Sequence, residues 1–161
     1  MKKMMKNRKG FTLMEMLIVV AIIAILVIIA IPTFNSALAK SRAATDVANI
    51  RSGYAAAQVE AMTEGLKDTT GKDATTVTYI LQQDGSVKKD GDTNNAKPYK
   101  CVGSSKNAAS GTTIGGRVDV DTAATASSDG KIGWDKSATI TYTVTETDGV
   151  FSVTIASVAG N

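Results

Sequence analysis

The hydrophobic pattern of this chain begins with a long uncharged segment close to the N-terminus. From Met16 to Ala39 there are 24 consecutive residues without a formal charge. At about 1.5 Å per residue, a helix of that length spans roughly 36 Å, which is enough to cross a bilayer. The pattern therefore predicts a membrane-spanning helix near the N-terminus.

Beyond Pro32 the helical pattern continues, but its apolar residues follow one side only. They recur at steps of three and four, as in a helix with one face on a core: Ala43, Val47, Ile50, Tyr54, Ala57 and Ala61. Charged residues, Asp46 among them, are assigned to the solvent side. Gly65 is a suitable C-cap, so one long helix is predicted to end near Glu64. Pro32 removes one backbone hydrogen bond and is predicted to bend or loosen the helix there, as in a simple transmembrane kink.

The sequence after Gly65 is rich in Thr, Ser, Gly, Asp and β-branched residues, a composition typical of strands and turns. Asp84-Gly85 and Asp148-Gly149 are turn signals, and each is flanked by strand-like runs that predict a hairpin. The second of these turns favours type I′, because both of its residues tolerate positive φ. Strands are predicted, in chain order, at residues 76–82, 86–89, 99–102, 117–120, 138–147 and 150–158.

One face of the last predicted hairpin is apolar. Because side chains alternate along a strand, Ile140, Tyr142 and Val144 share a face, as do Phe151, Val153 and Ile155. Both sets are predicted to pack on the one-sided stripe of the helix. The predicted fold is α+β, with a long N-terminal α-helix whose C-terminal half packs on an antiparallel β-sheet head.

Charge is distributed unevenly along the sequence. Five basic residues and no acidic one precede Gly10: Lys2, Lys3, Lys6, Arg8 and Lys9. This asymmetry predicts an N-terminus in the cytoplasm and a C-terminal part outside. The chain has 18 basic and 15 acidic residues in all, so the part after Gly10 has 13 against 15 and a net charge of −2. No basic footprint for nucleic acid is therefore expected in the head.

Glu15 is the one charged residue next to the apolar run. An ionised carboxylate in the membrane core costs at least about 2.5–3.5 kcal/mol, so it needs either water or a cation. Glu15 at the headgroup level would have water. Alternatively, a chain cut after Gly10 would carry a new α-amino group on Phe11, one helical turn from Glu15, and a neighbouring subunit's amine would serve equally well.

The N-terminal segment Lys9-Gly10-Phe11-Thr12-Leu13-Met14-Glu15, with the apolar run and Pro32 behind it, resembles the signal of type IV pilins and related pseudopilins. This resemblance covers residues 9–34. It implies that a membrane-embedded peptidase cuts after Gly10 and that Phe11 is N-methylated. It also implies that Glu15 pairs with a neighbour's N-terminus in a helical filament, and that the helix melts locally near Pro32 during assembly.

The resemblance also predicts the organisation of the chain and its partners. Residues 1–10 are a cleaved leader, 11–65 the long helix with an assembly segment at 11–34, and 66–161 the head. The expected partners are further copies of the chain, the prepilin peptidase, the membrane before assembly and the pilus machinery. The precursor is expected in the cytoplasmic membrane, and the assembled filament at the cell surface.

Catalytic chemistry is poorly represented in this sequence. It has no histidine and one cysteine, Cys101, and hence no nucleophile-base pair or transition-metal cluster is expected. No enzyme and no cofactor are therefore predicted. The segments 90–92 and 119–121, each Asp-x-Asp, offer oxygen ligands for Ca²⁺ but lack the full spacing of a binding loop. Turn chemistry and solvated strand faces account for both segments.

Three other interpretations of the sequence stay open at this point. A pseudopilin of a secretion or DNA-uptake machine would share the fold and form a shorter fibre. A membrane-anchored binding module that never polymerises is an alternative of another class, although it has no use for Gly10-Phe11. An ordinary secretory signal would have a shorter apolar region and a cleavage site such as Ala37-Leu38-Ala39.

Overall fold

The computed structural model describes residues 10–94, 96–123 and 130–159. The predicted basic leader before Gly10 lies outside these residues. The chain divides into two compact units, with the boundary between Ala37 and Leu38, and each unit is described by itself. The regular elements are α1 (Leu13–Glu64), β1 (Thr76–Leu81), β2 (Val87–Lys89), a 3-10 turn (Ser105–Asn107), β3 (Thr113–Ile114), β4 (Val118–Val120), β5 (Lys131–Ile132), β6 (Thr139–Thr147) and β7 (Val150–Val158).

The second half of α1 confirms the predicted apolar stripe. All six residues of that stripe are buried. The helix ends at Glu64, and Gly65 follows with φ +69°, the left-handed conformation of a C-cap glycine. The prediction for Asp46 was wrong, because this side chain is fully buried. Gly53 is also buried, and a Cβ there would come within 2.4 Å of the Tyr142 hydroxyl, so this glycine lets the sheet approach the helix closely.

Two sheets accompany the helix. The larger has the order β2-β1-β6-β7 with every neighbouring pair antiparallel, and the smaller has the order β3-β4-β5. Both predicted hairpins are present, β1 with β2 and β6 with β7. The prediction of an α+β fold with a long N-terminal helix on an antiparallel sheet is thereby confirmed.

The β6–β7 hairpin has the predicted turn and the predicted inner face. Thr147 pairs with Val150 across the turn, and Asp148 and Gly149 have φ of 53° and 77°. Positive φ at both central residues is what a type I′ turn requires. On β6 the three predicted core residues are fully buried, and the Tyr142 hydroxyl donates a 2.8 Å hydrogen bond to the Ile50 carbonyl of α1.

On β7 the inner face is less deeply buried than on β6. Ile155 is buried, whereas Phe151 and Val153 are half-buried residues packed against the core. Phe151→Ala should therefore cost about 1–2 kcal/mol, less than the roughly 3–5 kcal/mol of a fully buried phenylalanine. Denaturant unfolding of the full chain in detergent micelles measures this cost. Val150→Ala, at an exposed neighbouring position, is the control, and equal effects of the two variants would contradict the inward orientation of Phe151.

The connection between the β1–β2 hairpin and β6 departs from its prediction, because it contains two short strands, β3 and β5, that were not predicted and lacks one that was. Residues 99–102 form no strand, because their backbone groups bond to several different elements: Tyr99 donates to Leu81 O, and Cys101 to Ala138 O. The Val102 amide donates to the side chain of Asp46 and not to a neighbouring strand. Trp134, the single tryptophan of the sequence, follows β5 and is completely buried.

Candidate processing and assembly site

The residues of the predicted cleavage site precede the helix. Gly10 and Phe11 are not helical, and the Phe11 side chain is 79% exposed. An exposed peptide outside regular structure is where a protease most easily gains access. The geometry is thus compatible with a cut between Gly10 and Phe11, which stays a prediction.

Thr12 and Glu15 form a capping box at the start of α1. The Thr12 backbone N–H and hydroxyl donate to Glu15 Oε2 at 2.8 and 3.0 Å, and the Glu15 N–H donates back to the Thr12 hydroxyl at 3.2 Å. Such a pair satisfies amide groups that the first helical turn leaves without partners. Cleavage after Gly10 would leave all these atoms in place. The motif Thr-x-x-Glu is readable in the sequence, yet the capping role of Glu15 was not predicted.

No Lys or Arg side chain forms an ion pair with Glu15 within the described part of the chain. The ion pair observed there is between Lys89 and Glu64, at 3.6 Å in the head. The capping box leaves Glu15 Oε1 without a protein partner among the described residues. One carboxylate oxygen is therefore available to a donor from outside this chain.

The helix surface that follows Glu15 is apolar and uncovered. Nearly every large side chain from Leu13 to Phe34 is about half exposed or more, with Ile28 at 73%. By length and composition this helix is able to cross a membrane. Pro32 lies inside α1, which continues as helix on both sides of it, so the predicted bend or melting there stays a prediction. An uncovered apolar surface of this extent requires lipid or further protein.

Asp46 is the polar centre of the head. Its Oδ1 accepts hydrogen bonds from the Tyr99 hydroxyl at 2.7 Å and the Val102 amide at 2.9 Å. Its Oδ2 accepts from the Gly103 amide at 2.8 Å and the Trp134 indole Nε1 at 3.1 Å. Four donors from two separate segments, the loop at 99–103 and Trp134, thus converge on one carboxylate of α1. This arrangement ties the loop at 99–103 to the helix and explains why that loop forms no strand.

The environment of Asp46 also affects its neighbours. Burial raises the pKa of the Cys101 thiol to about 12, and the nearby Asp46 carboxylate adds to the effect. Burial and the hydrogen bond to Asp46 likewise raise the pKa of Tyr99. Cys101 is therefore protonated and unreactive in the folded head, since the thiolate is the nucleophilic form.

The position of Asp46 could have been read from the helical period. Residues 43, 46, 50 and 53 lie at steps of three and four, so Asp46 belongs to the buried stripe. A carboxylate there needs hydrogen-bond donors, and Tyr99 and Trp134 carry the polar groups that a buried aromatic residue must satisfy. The hydrogen bond between Trp134 and Asp46 could not be predicted from the sequence, because the two residues are 88 positions apart.

Each of the two Asp-x-Asp segments contains a carboxylate that accepts a local hydrogen bond. Asp92 Oδ1 accepts from the Asn94 amide at 2.9 Å, and Asp121 Oδ1 from the Ala123 amide at 2.8 Å, which are local turn contacts. Within the described ranges, no three His, Cys, Asp or Glu side chains gather in a way that could hold a metal ion.

The fold and the N-terminal segment define a class of protein: a pilin-like α+β chain with an apolar N-terminal helix. Residues 5–31 match the prokaryotic N-terminal methylation motif. The chain is similar to the type IV major fimbrial protein FimA of Dichelobacter nodosus, with 40% identity over 74 residues, 46% of this chain and 44% of the relative. Fimbrial protein Q of Moraxella bovis is 40% identical over 70 residues, 44% of each chain.

The similarity to curated relatives does not extend over their whole length. This chain spans less than half of either protein. Another fimbrial protein of Dichelobacter nodosus is 58% identical over 40 residues, a quarter of each chain. No solved structure matches this chain.

Proposed function

We propose that this chain is a structural subunit of a type IV pilus, which polymerises through its N-terminal helix into an extracellular filament. The observation that carries the proposal is the combination of an uncovered apolar helix surface with the carboxylate of Glu15, whose Oε1 has no partner among the described residues. Lipid covers such a surface before assembly, and neighbouring helices cover it in a filament. The fimbrial relatives support this interpretation.

Processing would prepare the helix for assembly. A peptidase cut after Gly10 removes the basic leader, which holds the N-terminus in the cytoplasm, and creates an amine on Phe11. The amine of one subunit would then pair with the Glu15 carboxylate of the next. In a packed bundle of helices this contact is far from water, so it selects the one axial stagger that brings the two groups together.

The mature chain is expected to begin with N-methylated Phe11. Mass spectrometry of the N-terminal peptide from surface material measures this directly. Gly10→Val should leave the leader attached, because a branched side chain replaces the smallest residue at the cleaved bond. A surface protein that starts at Met1, or beyond Ala39, would contradict the processing proposal.

Two alternative functions predict a different outcome for fibre formation. A pseudopilin would be processed in the same way but would form short fibres within a secretion or uptake machine, and a membrane-anchored binding module would form none. Electron microscopy of sheared surface fibres, with mass spectrometry of their subunits, distinguishes the three. Long fibres composed mainly of this chain are the expected result.

A further inference from the structure

A groove runs along the N-terminal end of the head. It lies between the second half of α1 and the segment 107–112, and its volume is about 590 Å³. Ala44, Val47, Ala108 and Ala109 contribute its apolar wall. All these residues belong to the unit that begins at Leu38.

The groove has a cation towards each end. Lys40 and Arg51 both line it, and no acidic residue does. They are eleven residues apart on one helix, so they stand about 16 Å apart along its axis. The Thr113 carbonyl accepts two hydrogen bonds from the Arg51 guanidinium, at 2.9 and 3.1 Å, which hold this side chain in place. Neither cation forms an ion pair with another described residue.

The tip of the β6–β7 hairpin has the opposite character. Residues 146–150 are all exposed, and they include the carboxylates of Glu146 and Asp148 and the apolar side chain of Val150, which is 67% exposed. Neither carboxylate pairs with a basic residue in the described part of the chain. The tip therefore offers an apolar residue flanked by unpaired negative charge.

The Lys40 end of the groove and the hairpin tip lie at opposite ends of the head. The Glu146 amide donates to Thr75 O, and the neighbouring Ala74 amide donates to Leu66 O, just beyond the C-terminal end of α1. Lys40 is 24 residues before Glu64 in the same helix, which is roughly 36 Å away. A hairpin tip thus cannot reach Lys40 at the far end of the groove of its own chain.

We propose that the groove receives the β6–β7 hairpin tip of a second copy of this chain. Lys40 faces the carboxylates of Glu146 and Asp148 of that copy, and Val150 enters the apolar part of the groove. A contact between two different patches is heterologous, so it repeats without closing and builds an open helical array. The inference deepens the proposed pilus function and rests on it: the helices supply most of the attraction, and the head contact reinforces the register that the Glu15 contact selects.

A charge exchange tests the contact in cells. Lys40→Glu and Glu146→Lys should each lower the yield of surface fibres by about tenfold, because like charges would then face each other at every repeat. The double variant Lys40→Glu/Glu146→Lys should recover most of the yield, which a purely structural defect would not do. Lys136→Glu makes the same charge change at an exposed position that neither lines the groove nor belongs to the hairpin tip, and it should be harmless. Wild-type yield from the single variants, or no recovery in the double variant, would overturn the proposal.

Cross-linking tests the same contact without relying on fibre yield. In a Lys40→Cys/Glu146→Cys chain, oxidation should produce a ladder of linked subunits, both in sheared fibres and in concentrated full-length protein in detergent micelles. Cys101 is buried and should not contribute, and Lys136→Cys/Glu146→Cys should give no ladder. Absence of the ladder from both preparations would overturn the head contact. Wild-type cells without fibres of this chain would contradict the pilus function instead, and the micelle assay would still report on the contact.

Discussion

Glu15→Ala should sharply reduce surface fibres while leaving membrane insertion and the cut after Gly10 unchanged. The substitution removes the carboxylate and leaves a neighbour's Phe11 amine unpaired inside the helix bundle, where breaking a buried pair costs about 3–5 kcal/mol. The leader and the apolar run are untouched, so processing should continue. Electron microscopy counts the fibres, and mass spectrometry of the membrane fraction reports the processing.

The capping box makes a second variant necessary. Glu15→Ala also removes the acceptor for the Thr12 amide and hydroxyl, and this loss weakens the helix start. Glu15→Gln keeps a side-chain oxygen that can accept both hydrogen bonds, because glutamine also serves in a capping box. Fibres should therefore be lost in Glu15→Gln as well, since charge and not capping is what the amine requires.

Two results would contradict the pairing of Glu15 with Phe11. Wild-type fibre numbers in both variants, with normal processing, would favour a carboxylate that lies in the headgroup region. Normal fibres in Glu15→Gln but not in Glu15→Ala would show that the cap is the essential interaction. Thr12→Ser is the matched control, because serine retains the hydroxyl, and it should assemble normally.

Asp46→Ala is expected to have the largest effect on the stability of the head. Four hydrogen-bond donors would lose their acceptor, and each buried donor left unsatisfied costs about 1–3 kcal/mol. Even partial rearrangement leaves a loss of roughly 5 kcal/mol, which approaches the total stability of many domains. We expect the loop at 99–103 to detach from α1 and the head to lose its cooperative unfolding.

The Cys101 thiol reports this opening directly. It is buried in the folded head, with its pKa raised to about 12, so a thiol reagent at neutral pH should react slowly with the wild type. Asp46→Ala should speed the reaction by at least about a hundredfold, because a loss near 5 kcal/mol raises the open population by more than that. Asp90→Asn, at an exposed carboxylate, should not change the rate. A rate in Asp46→Ala within about fivefold of wild type would show that water or rearrangement satisfies the donors.

The elements of this chain that depend on local pattern were predictable. An uncharged run long enough to cross a bilayer is visible within one segment of the sequence. The spacing of apolar residues at steps of three and four located the buried stripe of α1. Asp148-Gly149 marked the last turn, because few other pairs tolerate positive φ at both positions. The strand pairs followed from alternation on each side of that turn.

Other features depend on residues that are distant in sequence. The extent to which Phe151 is buried could not be predicted. Alternation along a strand shows which face a side chain is on, but its exposed fraction depends on the other segments that pack over that face. The prediction of a strand at 99–102 was wrong for a related reason. The amides of this segment donate to the Leu81 and Ala138 carbonyls and to the Asp46 carboxylate, and not to one neighbouring strand. The sequence identified candidate donors and acceptors but not which of them would meet.

The sequence alone thus determined the long apolar helix, its candidate processing site and the strand-rich head, because each follows from composition or period within one segment. Only the tertiary structure decided that Asp46 is the centre of the head, and that Lys40 lies at the opposite end of the head from Glu146 and Asp148. The physical reason is that a buried carboxylate gains its stability from donors brought by other segments. Likewise, a docking surface consists of side chains that chain folding, rather than sequence order, places together.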